Sequence, residues 1–178
     1  RLLALMDSIE ITILRTGAAT GVAAKYLARQ DSRTVTICGC GNQGRISLKA
    51  ILQVRPLDMV YAYDTDETQQ LKFIKEVAKE LKVSIKPVDD LGSAVRQSDI
   101  IVTCTPSKRP FLNEEHINPG TFIAAVGADS EDKQELQPGI LASGKLVVDL
   151  IEQSATIGEL HHALEAGVIT RENVYAEL

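Results

Sequence analysis

Two groups of residues near the front of the chain have types and spacings suited to binding a phosphorylated ligand. The first is the loop Gly39-Cys40-Gly41-Asn42-Gln43-Gly44, set directly after a run of Thr, Val and Ile and directly before an amphipathic stretch. In such a loop the first glycine permits a tight turn, the second lets the backbone approach a pyrophosphate, and the third lets helix and strand pack closely. The unpaired N–H groups of the following helix add donors and positive potential for an anion. The second group is Asp64, which ends the next apolar run 23 residues after Gly41. An acid at about that separation accepts hydrogen bonds from the adenosine ribose hydroxyls of a dinucleotide. It repels a 2′-phosphate, and Thr65-Asp66-Glu67 brings no cation to offset this, so the pattern predicts NAD over NADP.

Further candidates follow later apolar runs. Thr105-Pro106-Ser107 places hydroxyls where a ribose or a nicotinamide would lie, or is a proline-bracketed turn. Gly127-Ala128-Asp129, with Lys133 and Glu135 behind it, sets a carboxylate where it could exchange a proton with an amine or imine during hydride transfer. A turn or cap role is the plainer reading of Asp129, and Asp149 has the same ambiguity. Near the start, Arg15 has the planar fork that grips a carboxylate in two places, or is an ordinary surface arginine. His161 and His162 are adjacent; side chains about 100° apart on a helix are not expected to face one ion, and no metal site is predicted. A methyltransferase with a glycine loop and an acid would leave the later groups without a role.

These residues need elements that hold them at one edge. Strands are predicted over Thr34–Cys38, Met59–Tyr63 and residues 84–88, 99–104, 121–126 and 145–149, several of them apolar on both faces. Helical patterns alternate with them, over residues 18–28 and 43–54, Glu67–Leu81, and residues 158–166 with Gly167 as the terminating glycine. This rhythm predicts an α/β fold of Rossmann type, a doubly wound, mainly parallel sheet with helices on both faces. Residues 2–13 read as a further strand.

Composition narrows the class. Nineteen Lys+Arg against 24 Asp+Glu give a net charge of −5 without a basic stripe, which argues against nucleic-acid or anionic-membrane partners. No apolar run is long enough to span a bilayer. Three cysteines, with Cys38 and Cys40 one residue apart, make neither a disulfide framework nor a Cys-x-x-Cys; a reducing, cytoplasmic compartment is expected. A first residue that is not Met and an abrupt last run, VYAEL, suggest a piece of a longer chain.

Together the motifs resemble the ornithine cyclodeaminase/mu-crystallin family, which includes archaeal-type alanine dehydrogenases. The resemblance rests on LRTGAAT (residues 14–20), KYLAR (25–29), GCGNQG (39–44), TCTPSKRP (103–110), GADSEDKQEL (127–136), VVD (147–149), GEL (158–160) and VYAEL (174–178). It implies that Asp129 is the catalytic acid/base and that Arg15 binds the substrate carboxylate. It further implies that Thr16, Gly39, Gly41, Asn42, Gln43, Gly44, Asp64, Thr105, Ser107 and Val126 line NAD. Glu131-Asp132 departs from the usual Pro-Gly, and Gly21 stands where an alanine-like residue is common.

The implied reaction is that of ornithine cyclodeaminase, ornithine to proline and ammonia by hydride transfer out and back. Alanine dehydrogenase or cyclic-imine reductase activity is the alternative within the family, and a non-catalytic, mu-crystallin-like binding protein the alternative of another class. The resemblance also implies that residues 1–14 edge a further substrate and dimerisation domain, that residues 15–178 form the NAD-binding domain, and that the full chain is a homodimer acting on a small amino or imino acid.

Overall fold

The computed structural model describes residues 2–5 and 7–178. Its first element is α1 (Ile9–Leu27). The strand expected over residues 2–13 is therefore corrected: residues 2–5 are irregular and helix begins at Ile9, while Arg1 and Met6 lie outside the described residues. The Asp7 carboxylate accepts the Ile9 N–H at 2.7 Å, satisfying one amide that the helix itself leaves unpaired. Gly17, Thr20, Gly21 and Ala24 are the buried face of α1, a spacing of three and four that only a helix presents on one side. The division expected between residues 14 and 15 falls inside this helix.

The chain continues through β1 (Thr34–Cys38), α2 (Asn42–Leu52), β2 (Met59–Tyr63), α3 (Glu67–Leu81), β3 (Ile85–Pro87), α4 (Leu91–Arg96), β4 (Ile100–Thr103), β5 (Lys108–Leu112) and β6 (Phe122–Ala125). It ends with β7 (Gln134–Leu136), α5 (Pro138–Ala142), β8 (Leu146–Val148), α6 (Ile151–Ser154), α7 (Glu159–Glu165) and β9 (Val174–Glu177). Five strands form a wholly parallel sheet in the order β3-β2-β1-β4-β6. From β1 the chain runs outward to β3 and then returns to lay β4 on the other side. Between β1 and β4 the direction of winding reverses, and the crevice beyond their carboxyl ends is where such sheets receive ligands. The segment at residues 145–149 does form a strand, but β8 pairs with β9 apart from the central sheet, and β5 pairs with β7. Short, largely exposed strands such as β5 (KRPFL) carry no alternation from which pairing could be read.

Both faces of the sheet are covered. Val35, Ile37, Val60, Ala62, Ile100 and Val102 point into one core with Ala24, Leu48, Ile51, Phe73 and Val77 of the first three helices. Cys38 and Ile101 point into a second core with Val95, Leu112, Leu136, Ile140, Leu160 and Ala163. Each large aliphatic side chain buried here contributes about 1.5–3 kcal/mol. Between the cores and the edges, two polar devices fix geometry. The buried Arg55 guanidinium donates to the carbonyls of Lys25, Ala28 and Arg29, closing the C-terminal end of α1 with a cation where the helix dipole is negative. Asp99 accepts the N–H groups of Arg33 and Thr34 at 2.8 and 3.0 Å and the Arg29 guanidinium at 2.5 Å, so it pins the entry of β1 to that of β4.

α1 and α2 approach closely through small residues. A Cβ on Gly17 would stand 2.7 Å from the Ile46 side chain, and one on Gly21 would stand 3.0 Å from Ala50. Gly21 is thus a point of helix contact. Because the pairs are 17 with 46 and 21 with 50, the two helices run in the same direction, and residues 14–16 lie level with the first turn of α2.

Candidate functional site

The glycine loop links the buried end of β1 to α2. Gly39 takes φ +103°, and a Cβ there would lie 2.6 Å from the Cys104 carbonyl oxygen; a Cβ on Gly44 would lie 2.3 Å from the Gly39 carbonyl oxygen. These two glycines are demanded by the fold itself. Gly41 is different: its backbone is extended, and a Cβ would meet no atom within 4 Å. Its missing side chain leaves open space beside the N-terminus of α2, where no side chain caps the helix. Gln43 adds a buried Nε2 without a hydrogen-bond partner among the described residues. A buried donor left unpaired is costly. An orphan amide, an uncapped helix end and an open backbone at one place fit the phosphates of a dinucleotide, and Asn42 lies exposed at the same turn.

Asp64 follows β2. Its carboxylate accepts the Cys40 N–H at 2.7 Å and the Asp66 N–H at 3.0 Å. One oxygen therefore ties the glycine loop to the end of β2, holding the acid beside the loop rather than turned to solvent. The next residue to cap a helix is Asp66, which accepts the N–H groups of Thr68 and Gln69, so Asp64 is not the cap of α3.

Beyond β4, the Thr105 hydroxyl donates to Glu135 at 2.7 Å and accepts the Ser107 N–H at 3.2 Å, while the Ser107 hydroxyl donates to the Arg109 carbonyl at 2.7 Å. Both hydroxyls are engaged inside the protein, which leaves the backbone and the Thr105 methyl as the faces this loop offers. Val126 extends β6 by one hydrogen bond to the Thr103 carbonyl. Asp129 stands three residues later, 74% exposed, with its carboxylate 2.6 Å from the Lys133 ammonium. Arg15 and Thr16 sit on α1 level with the start of α2; Arg15 is exposed and makes no ion pair among the described residues. The structure brings together the loop, Asp64, Thr105, Val126 and Asp129 at the carboxyl ends of adjacent strands. No contact joins Arg15 to Asp129.

Two acids behind these loops exceed what the sequence reading drew out. Glu135 is fully buried, and burial pushes its carboxyl pKa up, opposed by hydrogen bonds that include those from Thr105 and Gly127. Glu159, in the first turn of α7, accepts the N–H groups of Glu135 and Leu136 at 2.7 and 3.2 Å, and burial raises its pKa to about 7. The signal available was positional: an acid directly before a buried Leu in both KQEL and GEL.

Burial disfavours the thiolate form of all three cysteines. Burial raises Cys38 and Cys104 well above the usual thiol range and Cys40 to about 12, with Asp64 adding to the last. Raised thiol pKa values suppress the nucleophilic thiolate. No metal site was expected at the histidines; the ring centroids of His161 and His162 are 5.2 Å apart, and one ligand atom of each lies within 4.8 Å of the other and of a Glu165 oxygen. The 100° rule governs where side chains leave the helix, and the imidazoles reach back across that angle. One of these rings is already in use, since His162 Nε2 lies 2.8 Å from the Lys133 carbonyl oxygen. Among the described residues, no helix is long and apolar enough to cross a membrane.

A parallel sheet wound outward from a glycine turn, with helices on both faces, defines a Rossmann-type α/β domain, as expected. Within that class the chain belongs to the Ornithine cyclodeaminase/mu-crystallin family, whose model it matches over residues 1–178. It is 41% identical to the alanine dehydrogenase of Archaeoglobus fulgidus over 99% of this chain and 54% of the relative. The solved Delta(1)-pyrroline-2-carboxylate reductase of Thermococcus litoralis, in complex with NADH and L-proline, superposes with a TM-score of 0.94 at 38% identity, covering 98% of this chain and 55% of that one. A solved lysine cyclodeaminase is less similar, with a TM-score of 0.82 at 30% identity over 99% of this chain and 50% of that one. The chain spans about half the length of the curated relatives it matches. These similarities favour the dehydrogenase and reductase alternative over ornithine cyclodeaminase.

Proposed function

We propose that this chain carries the NAD-binding part of an enzyme that moves hydride between NAD(H) and a small amino or imino acid, as an alanine dehydrogenase or a cyclic-imine reductase does. One observation carries the reading: adjacent strand ends present the glycine loop after β1, Asp64 after β2, the Thr105 loop after β4 and Asp129 after β6. In this reading residues 15–178 form the NAD-binding unit and residues 1–14 adjoin a further domain. Leu2, Leu3, Leu5 and Ile9, each exposed by 65% or more, are apolar surface suited to being covered by that domain or by a second copy in a homodimer.

Gly39, Gly41, Asn42, Gln43 and Gly44 would hold the pyrophosphate, Asp64 the adenosine ribose, and Thr16, Thr105, Ser107 and Val126 the remaining wall. NAD, when bound, supplies the hydride acceptor or donor. Arg15 holds the substrate carboxylate by two N–H···O contacts. In oxidation, the Asp129 carboxylate takes a proton from the substrate nitrogen as the C–N bond becomes an imine; in reduction it returns that proton. Lys133, whose ammonium lies 2.6 Å from the Asp129 carboxylate, holds that side chain in place beside the end of β6.

The test uses the longest natural chain carrying these residues. Expected are NADH formation from L-alanine or L-proline, or NADH oxidation with the corresponding imine. Proline and ammonia from ornithine without net change in NADH would instead establish a cyclodeaminase, and no turnover with NADH bound would establish a binding protein. Asp129→Asn should keep NADH affinity and lose turnover by about 100-fold or more; undiminished turnover refutes its role.

A further inference from the structure

We propose that Glu135 is a positioning residue that locks the Thr105 loop to the loop carrying Asp129, so that one buried carboxylate sets the placement of the proton-exchanging acid. This rests on the reading of Asp129 given above. The carboxylate has no exposed surface and no cation within ion-pair distance among the described residues. Besides the Thr103 hydroxyl at the end of β4, which helps to lower its pKa, its partners are donors from the two loops. Oε1 accepts the Thr105 N–H at 2.6 Å and the Thr105 hydroxyl at 2.7 Å, and Oε2 accepts the Gly127 N–H at 3.1 Å. Each oxygen thus serves one loop.

A second observation is independent of those bonds. A Cβ on Gly127 would lie 2.5 Å from the Cδ and from both oxygens of Glu135, so the carboxylate lies flat against the Gly127 backbone in the space a side chain would need. From Gly127 the chain makes a tight turn, Asp129 N–H to Gly127 carbonyl at 3.0 Å, so a shift at Gly127 passes directly to Asp129. On the far side, Gly158 holds φ +95° with the place of its Cβ 3.3 Å from the Ala128 carbonyl oxygen. The next residue, Glu159, accepts the Glu135 and Leu136 N–H groups and so fixes the strand from which Glu135 extends. Gln134 N–H donates to the Ser107 carbonyl at 3.0 Å, which ties the Thr105 loop to β7, the strand that carries Glu135. An apolar residue could fill this volume without the cost of burying a charge. What it could not do is accept donors from both loops at once.

The decisive variant is Glu135→Gln, which keeps the volume but has one accepting oxygen. That oxygen stays with the two Thr105 donors, and the amide nitrogen then opposes the Gly127 N–H. In the longest natural chain, hydrogen exchange at the Gly127 amide should accelerate about 10-fold or more while the Thr105 amide stays protected. kcat should fall 10- to 100-fold with KM for NAD within about threefold, and Glu135→Asp should recover part of the kcat. Unchanged exchange at Gly127 overturns the proposal whatever Asp129 does. Accelerated exchange with unchanged kcat, in a protein that Asp129→Asn inactivates, also overturns it. A parallel loss of kcat, NADH affinity and folded fraction would show a merely structural role and overturn it too. Should Asp129→Asn remain fully active, the reading of Asp129 fails by itself, and the Gly127 and Thr105 exchange rates still decide whether Glu135 joins the loops.

Discussion

Replacing Gly41 with Ala separates what the glycine loop does for the fold from what it does for a ligand. The added methyl meets nothing within 4 Å and the backbone there is extended, so no strain is introduced. Restricting the unfolded chain stabilises by about 0.4–1 kcal/mol, and exchanging glycine for alanine at the start of α2 costs a comparable amount because alanine is a poor N-cap. The two offset, and the melting temperature should move by no more than about 3 °C in a chain of this size. Gly44→Ala is the contrast: its methyl would stand 2.3 Å from the Gly39 carbonyl oxygen and 2.9 Å from Ile37. Overpacking of that kind costs about 1–3 kcal/mol, a fall of roughly 2–10 °C.

The ligand reverses the order of interest. If a pyrophosphate approaches the Gly41 backbone, the methyl pushes it away and weakens charge-assisted hydrogen bonds worth about 1.5–3 kcal/mol, a 10- to 100-fold loss of NADH affinity. Differential scanning fluorimetry and NADH fluorescence titration read the two effects. A Gly41→Ala protein that melts like the wild type and binds NADH equally well refutes the placement of the pyrophosphate. One that melts 5 °C lower refutes the claim that the site is open.

Asp64→Ser should bring the affinities for NAD and NADP at least about 10-fold closer, measured by parallel titrations, because the carboxylate that repels a 2′-phosphate is gone; an unchanged ratio contradicts the assignment. Glu159 makes stability depend on pH. Its folded pKa, about 7, lies above the unfolded value of 4.5, so the folded state binds the extra proton between them and stability falls as pH rises through that window. The loss is at most about 3 kcal/mol. Glu159→Gln should flatten the urea midpoint between pH 5 and pH 7 relative to wild type, and an equal slope in both proteins would refute the account.

The parallel sheet was legible because its strands are buried on both faces and its glycine loop is followed at the right distance by Asp64. The start of α1 was not. Ile9, Ile11 and Ile13 alternate with polar residues, the period of a strand, yet Ile9 and Ile11 are 65% and 52% exposed. The face that decides the helix is the small-residue row at 17, 20, 21 and 24, which hydrophobicity barely registers. At the site, residue type located Asp64, Gly41 and Gln43. It could not show that Thr105 and Ser107 spend their hydroxyls internally, or that Glu135 is what Thr105 bonds to, because those partners lie up to 30 residues away in sequence and meet only through the sheet.

α1 is held against α2 from Gly17 onward and tied at its C-terminal end by Arg55, whereas its first turns stand exposed. Its fulcrum is the pair of glycines at 17 and 21, and Ile9 lies eight residues before the first of them, about 12 Å along the axis at 1.5 Å per residue. A tilt of about 10° at that fulcrum swings the exposed apolar end through roughly 2 Å, whereas Arg15, about 3 Å from the fulcrum, shifts by roughly 0.5 Å. A displacement imposed on the exposed end of α1 would therefore reach Arg15 reduced about fourfold.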